Sequence, residues 1–388
     1  MKKTLYFDSA ANTSLDKKVF RAMKPFLTKG FVGNSQSIHD YGIQASNAVE
    51  NSREKIAQTF GLKPEEIYFT SGATESNNWV LKSLALHELF SEKVPKKHIV
   101  VSSIEHSSIM NTCRELENWG FNITYVKPNR SGMITAKEIR PALRFNTLLV
   151  CVMAVNNETG VKNPINAIGM VAHRNKSLMM SDCTQLLSYG ASECNLKERY
   201  PFVDYFTFSG HKIYGPTGTG CLIVRSRAPI YPYMIGGAQE FGLRGGTSNV
   251  AGVVGLAKAV ELIAKEDYRP FYDELFNYFI SKMIEKHIPY MLNVIPVHRN
   301  IISLNLSHCI DDTELASTMN NYGIACSAGS ACDAASTSEP SHVLVALGLE
   351  QKDINNTIRI SFSKYTTLKE IDALVGVIDT LYVKAKGI

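Results

Sequence analysis

No stretch of this 388-residue chain is apolar for long enough to span a bilayer, so no transmembrane helix is expected. No run of lysine or arginine extends beyond a few residues, and the formal net charge is only +5, so charge gives nucleic-acid binding no support. There is no CxxC pair and no dense cysteine framework. The cysteines (Cys113, Cys151, Cys183, Cys194, Cys221, Cys309, Cys326 and Cys332) are scattered, and most have apolar neighbours, as buried thiols do. Neither a disulfide scaffold nor a metal site is expected, and a reducing cytoplasm fits. The start, Met1-Lys2-Lys3-Thr4-Leu5-Tyr6-Phe7-Asp8, meets a charge before any signal-like apolar core develops, so an uncleaved cytoplasmic protein is expected. No internal repeat or low-complexity tract is evident.

What is present is the composition of an ordinary globular protein, 45% hydrophobic and 20% charged. The length exceeds one typical core, so two domains are expected. Strand-like pieces at 67–70, 98–102, 123–126, 148–153, 178–181 and 203–208 alternate with helical stretches near 74–86, 106–119, 135–144 and 165–175. Nearly continuous apolar strands with helical crossovers imply an α/β fold with a largely parallel sheet covered on both faces. Functional loops then belong at the carboxyl ends of the strands. Pro141 is awkward inside the fourth helix, which is expected to kink or begin late. After about residue 264 the pattern becomes a compact α+β piece, with helices at 312–322, 340–347 and 367–385 and strands at 300–306 and 357–362. The expected division is 16–262 for a large domain, and 1–15 with 263–388 for a smaller one.

Several polar signals fall at strand ends. Ser209-Gly210-His211-Lys212-Ile213-Tyr214-Gly215-Pro216 is a tight glycine-rich loop between two apolar runs. A lysine that bonds covalently to a carbonyl cofactor needs such a rigid mount, with a phosphate site nearby. The plainer reading is a solvated turn. Thr70-Ser71-Gly72-Ala73-Thr74-Glu75-Ser76-Asn77 follows a strand and opens a helix; it is an anion cradle or an ordinary N-cap. Asp182 directly follows an apolar strand, where it can hold a proton on a heteroaromatic nitrogen or cap the next helix. His106 opens a helix and can stack on a planar ring. Asn157, in Val155-Asn156-Asn157-Glu158-Thr159-Gly160, can donate to a phenolate or cap a turn. Jointly, these satisfy what a pyridoxal-phosphate site demands. A second centre is the small-residue loop Cys326-Ser327-Ala328-Gly329-Ser330-Ala331-Cys332-Asp333. Its Cys332 is the better nucleophile candidate, because Cys326 follows Ile324-Ala325 and reads as partly packed.

These segments resemble the cysteine desulfurases of the class-V aminotransferase superfamily, with further likeness at Arg244-Gly245-Gly246-Thr247 and Glu339-Pro340-Ser341-His342-Val343-Leu344. The likeness covers nearly the whole chain, and the longer cysteine loop is similar to the branch serving iron–sulfur and nitrogenase assembly. It implies the fold-type I architecture of pyridoxal-phosphate enzymes, a seven-stranded mostly parallel sheet plus a smaller α+β domain. By the same resemblance Lys212 is the Schiff-base lysine, His106 the ring-stacking acid–base, and Asp182 the partner of the pyridine nitrogen. Gln185 and Asn157 address the phenolic oxygen. Thr74, Ser209 and His211 hold the phosphate, with Thr247 contributed by a partner subunit, and Ala73 belongs to the same cofactor-binding set. Asn34 and Arg359 hold the substrate carboxylate, and Cys332 takes the sulfur. The implied reaction converts L-cysteine to alanine in a homodimer, and the sulfur passes to an iron–sulfur scaffold or to a tRNA- or DNA-thiolation enzyme. Selenocysteine lyase, aminotransferase and a partner-activated sulfur carrier stand as alternatives. Three departures bear on this. Ser35 replaces the proline usual after Asn34, Asp333 follows Cys332, and the chain ends at Ile388, short of the tail by which housekeeping members engage their scaffold.

Overall fold

The computed structural model describes residues 4–28, 30–92, 94–310, 312, 314–328 and 340–387. The strands are β1 (Leu5–Tyr6), β2 (Ile67–Thr70), β3 (His98–Ser102), β4 (Asn122–Val126), β5 (Thr147–Cys151), β6 (Leu178–Asp182), β7 (Tyr205–Ser209), β8 (Gly220–Val224), β9 (Met291–Leu292), β10 (Ile301–Asn305), β11 (Ile324–Ala325) and β12 (Thr357–Ser361). Seven form the main sheet in the order β2-β8-β7-β6-β5-β3-β4. Strands β3 to β7 pair in parallel, and β8 runs antiparallel to both its neighbours.

Period-two alternation explains how the sheet is covered. Ile67, Phe69, Val100, Val150, Met179, Phe206, Phe208 and Ile223 enter one core, with helices Asp40–Phe60, Ile165–Arg174 and Val250–Ile263. The residues between them, Tyr68, Ile99, Val101, Leu149, Met180, Tyr205, Leu222 and Val224, enter the other, with Ala73–Leu89 and Ser107–Asn118. A third core gathers Phe7, residues of Arg269–Glu285 and Leu368–Ala385, and the antiparallel sheet β12-β10-β9. Strand β1 pairs in parallel with β11, which ties the start of the chain to its last quarter.

Two local expectations are corrected. The helix expected over 135–144 is α-helical only over Ala136–Ile139, capped by Thr135 with Glu138, and then becomes a 3₁₀ turn over Arg140–Ala142. Pro141 falls within the first two residues of that turn, where its missing N–H costs nothing. The helix expected over 312–322 is confined, among the described residues, to Leu315–Asn321.

One contact sets where the helix Ala73–Leu89 begins. Gly220 on β8 lies against Gly72 so closely that a Cβ at 220 would stand 2.5 Å from the Gly72 Cα and 2.7 Å from the Phe208 carbonyl oxygen. Both are backbone atoms, so a side chain there must push the loop before the helix away from the sheet. Gly220→Ala is expected to destabilise the protein by about 1–3 kcal/mol, measured by denaturant unfolding.

Candidate active site

The carboxyl ends of β3, β5, β6 and β7 open on one cavity of about 180 Å³. It is lined by Ala73, Thr74, His106, Asn157, Asp182, Gln185, Ser209, His211, Lys212 and Arg359, among others. Ten of the residues singled out from sequence therefore meet in one place. Asn34 is not brought there; it is exposed in a surface loop, where its side chain accepts from the Gln36 amide at 3.0 Å. Thr247 lines a separate depression with Ser71, Gly218 and Arg244. Cys332 lies outside the described residues.

Lys212 ends a 3₁₀ turn, Gly210–Lys212, that follows β7 directly. Two residues on, Tyr214 holds φ at +62°, a left-handed conformation costing a bulky residue roughly 1–3 kcal/mol. Long-range hydrogen bonds fix it: the Thr13 hydroxyl accepts from the Tyr214 amide at 2.9 Å, and the Tyr214 hydroxyl accepts from the Lys364 amide at 2.6 Å. The lysine is thus mounted on an over-determined loop. Its Nζ donates to the carbonyls of Ala10 and Ala11, which cross the cavity from the start of the chain. Gln185 Nε2 donates to the same Ala10 carbonyl at 3.0 Å.

The helix Ala73–Leu89 has no side-chain cap of its own. Its first amide, Ala73 N–H, donates instead to Ser209 Oγ at 2.8 Å, which links the helix start to the end of β7. Helix-start amides beside a hydroxyl are a site for an anion. Burial, and then the neighbouring Lys212, lower the His211 pKa to about 4, so its ring is neutral at physiological pH and has one N–H to give.

Asp182 closes β6 and is almost wholly buried. Asn77 donates to its Oδ2 at 2.9 Å, and the Thr184 amide donates to its Oδ1 at 2.9 Å. Sequence reasoning had quoted Asn77 without giving it a task. The available signal was an amide side chain one turn into a helix whose following residues, Trp79, Val80 and Leu81, are apolar and buried. His106 caps the helix Ser107–Asn118; the Ser108 amide donates to its Nδ1 at 3.1 Å, so a neutral ring carries its proton on Nε2.

Arg359 on β12 is buried, with its guanidinium already engaged. Its Nη1 donates to the Asn157 carbonyl at 3.1 Å, and its Nη2 donates to Asp8 at 2.7 Å and to Ser327 Oγ at 3.2 Å. Its Nε has no partner among the described residues, which leaves a buried donor for an incoming carboxylate. Asp8, a residue sequence reasoning passed over, fixes the plane of this fork.

Cys326 precedes Ser327 and shares this neighbourhood. Burial, and secondarily the Asp8 carboxylate, push its thiol up to about 12. At pH 7 a thiol of that pKa is thiolate only on the order of one part in 10⁵, so Cys326 is a poor nucleophile. Native-state alkylation with iodoacetamide, read by peptide mass spectrometry at neutral pH, is expected to leave Cys326 unmodified. Rapid labelling would contradict its half-buried, neutral state.

A family model described as aminotransferase class-V matches residues 5–374. A cysteine desulfurase of Dictyoglomus turgidum is 37% identical over 391 residues, spanning 100% of this chain and 97% of that protein. Among solved structures, a NifS-like protein superposes with a TM-score of 0.87 at 32% identity, covering 98% of this chain and 100% of that one. A structure described as SspA in complex with cysteine gives a TM-score of 0.80 at 36% identity, covering 94% and 100%. A chain that matches this family over almost its full length, and is 37% identical to a cysteine desulfurase across all of its own residues, belongs to the class-V aminotransferases and stands among their cysteine desulfurases.

Proposed function

We propose that this protein takes sulfur from L-cysteine with pyridoxal 5'-phosphate, leaving alanine and a persulfide on Cys332. The convergence of Lys212, Asp182, His106, Ser209 and Arg359 on one cavity carries the reading. The donor set fits the cofactor: helix-start amides and a serine hydroxyl for the phosphate, a carboxylate for the ring nitrogen, and an amine for the aldehyde. Bound there, pyridoxal phosphate would supply an aldehyde for the substrate amine and a ring that draws electrons from its α-carbon. Asp182 is suited to keep the ring nitrogen protonated, and Asn77 holds that carboxylate in place. Lys212 Nζ takes the α-proton, and His106 Nε2 is the second proton-carrying group. Arg359 receives the substrate carboxylate on its open edge. The Cys332 thiolate then attacks the substrate sulfur, and the carbon–sulfur bond breaks. The released carbon gains a proton and leaves as alanine.

The acceptor of that sulfur is proposed by class, an iron–sulfur scaffold or a thiolation enzyme. A homodimer is proposed as the working form, in which Thr247 of one protomer completes the phosphate site of its partner. The cytoplasm is the proposed compartment; no helix among the described residues is long and apolar enough to cross a membrane.

The decisive assay compares wild type with Cys332→Ala, following alanine and protein-bound persulfide from cysteine. Wild type is expected to form both without added keto acid. Cys332→Ala is expected to form no persulfide and to lose most alanine. Alanine formation that depends on a keto acid and ignores Cys332 would mean transamination instead.

A further inference from the structure

Glu105 is a buried acid that the reaction above does not use. It lies between the end of β3 and the helix Ser107–Asn118, beside His106, and it is fully buried. Its Oε1 accepts from the Met153 amide at 2.7 Å, just beyond β5. Its Oε2 has no hydrogen-bond partner among the described residues, and no ion pair among them involves it. Its backbone carbonyl accepts from His342 Nε2 at 2.8 Å. Met153 and His106 both line the cavity. Glu105 thus stands behind two walls of the site and is not among the residues that line it.

The titratable groups facing it are few. Asp182 comes from β6, Cys151 from β5 and Cys113 from the helix, with His106 next in the chain. Burial pushes both thiols up, Cys113 to about 12, so neither is charged at neutral pH. Asp182 has a donor on each carboxyl oxygen, whereas the Met153 amide and the Ser102 side chain leave Glu105 Oε2 with no partner among the described residues. Two adjacent buried carboxyls do not both ionise cheaply.

We propose that Glu105 is a positioning residue, an uncharged carboxyl that fixes the Met153 and His106 walls and leaves the negative charge at the ring-nitrogen end of the cleft to Asp182. This deepens the proposed function, because it states how the site keeps a single carboxylate there. Burial first, and Asp182 besides, push the Glu105 carboxyl well above the usual range, against the Met153 amide and the Ser102 side chain, which pull it down. A neutral acid in the folded state makes that state the proton-richer one. Stability therefore falls as pH rises above about 4.3, where the unfolded side chain ionises.

The test uses the cofactor-loaded enzyme and three variants, Glu105→Gln, Glu105→Asp and Glu105→Ala. Glutamine keeps the shape, the carbonyl acceptor and the absence of charge. Glu105→Gln is expected to keep the pH titration of the bound cofactor's absorbance, and to keep cysteine turnover within about threefold. Its thermal midpoint should gain on wild type progressively between pH 5 and pH 8. Glu105→Asp and Glu105→Ala, which strand the Met153 amide, are expected to lower turnover by about tenfold or more. A shifted absorbance titration in Glu105→Gln, or a thermal difference that stays flat or reverses with pH, would overturn the proposal by showing an ionised Glu105. Should Glu105→Gln not fold, the neutral-acid reading fails as well, since the amide replaces a neutral acid almost isosterically. The thermal series does not require turnover, so it separates failure here from failure of the desulfurase reading.

Discussion

The site depends on how one buried acid, Asp182, is fixed in place. Asn77 does this while joining four elements: it lies on the helix Ala73–Leu89, donates to Asp182 of β6 and to Ser108 at the start of the next helix, and accepts from Thr207 of β7 at 2.6 Å. With no exposure to solvent, each of these bonds is made in a medium where leaving one unmade costs about 1–3 kcal/mol. Asp182 at the end of β6, the lysine loop after β7 and the start of the helix Ala73–Leu89 are thereby kept in one frame. The Gly72–Gly220 contact and the Ala73–Ser209 bond complete it.

A second frame is laid across the first by the opening residues of the chain. Asp8 pairs with Arg359, Ala10 and Ala11 accept from Lys212, and the Thr13 hydroxyl donates to the His211 carbonyl. Strand β1 in turn pairs with β11, immediately before Cys326. The segment thus touches Lys212, Arg359 and the strand that leads into Cys326. An arginine with one fork arm already on Asp8 presents an oriented edge rather than a mobile charge, which favours a carboxylate held in one plane.

Much of this was legible in the chain and some was not. The strands read correctly because they are short apolar runs between helical patterns, and Asp182, Ser209 and His106 stood out because each sits where such a run stops. Pro141 was flagged as a misfit from local chemistry alone, and the 3₁₀ turn is the fold's answer to it. What stayed hidden is long-range. Asn77 with Asp182, Asp8 with Arg359 and Glu105 with Met153 are separated by 105, 351 and 48 residues, and nothing local marks one member for the other. Asn34 was given a substrate role by resemblance alone, and within the chain its side chain accepts from the Gln36 amide.

The central claim is that Lys212 is the covalent seat of an aldehyde cofactor. Borohydride reduction of the enzyme loaded with pyridoxal phosphate, followed by proteolysis and peptide mass spectrometry, tests it directly. The account predicts a phosphopyridoxyl group fixed to Lys212. A label on any other lysine, or no label on enzyme that has bound the cofactor, would contradict it.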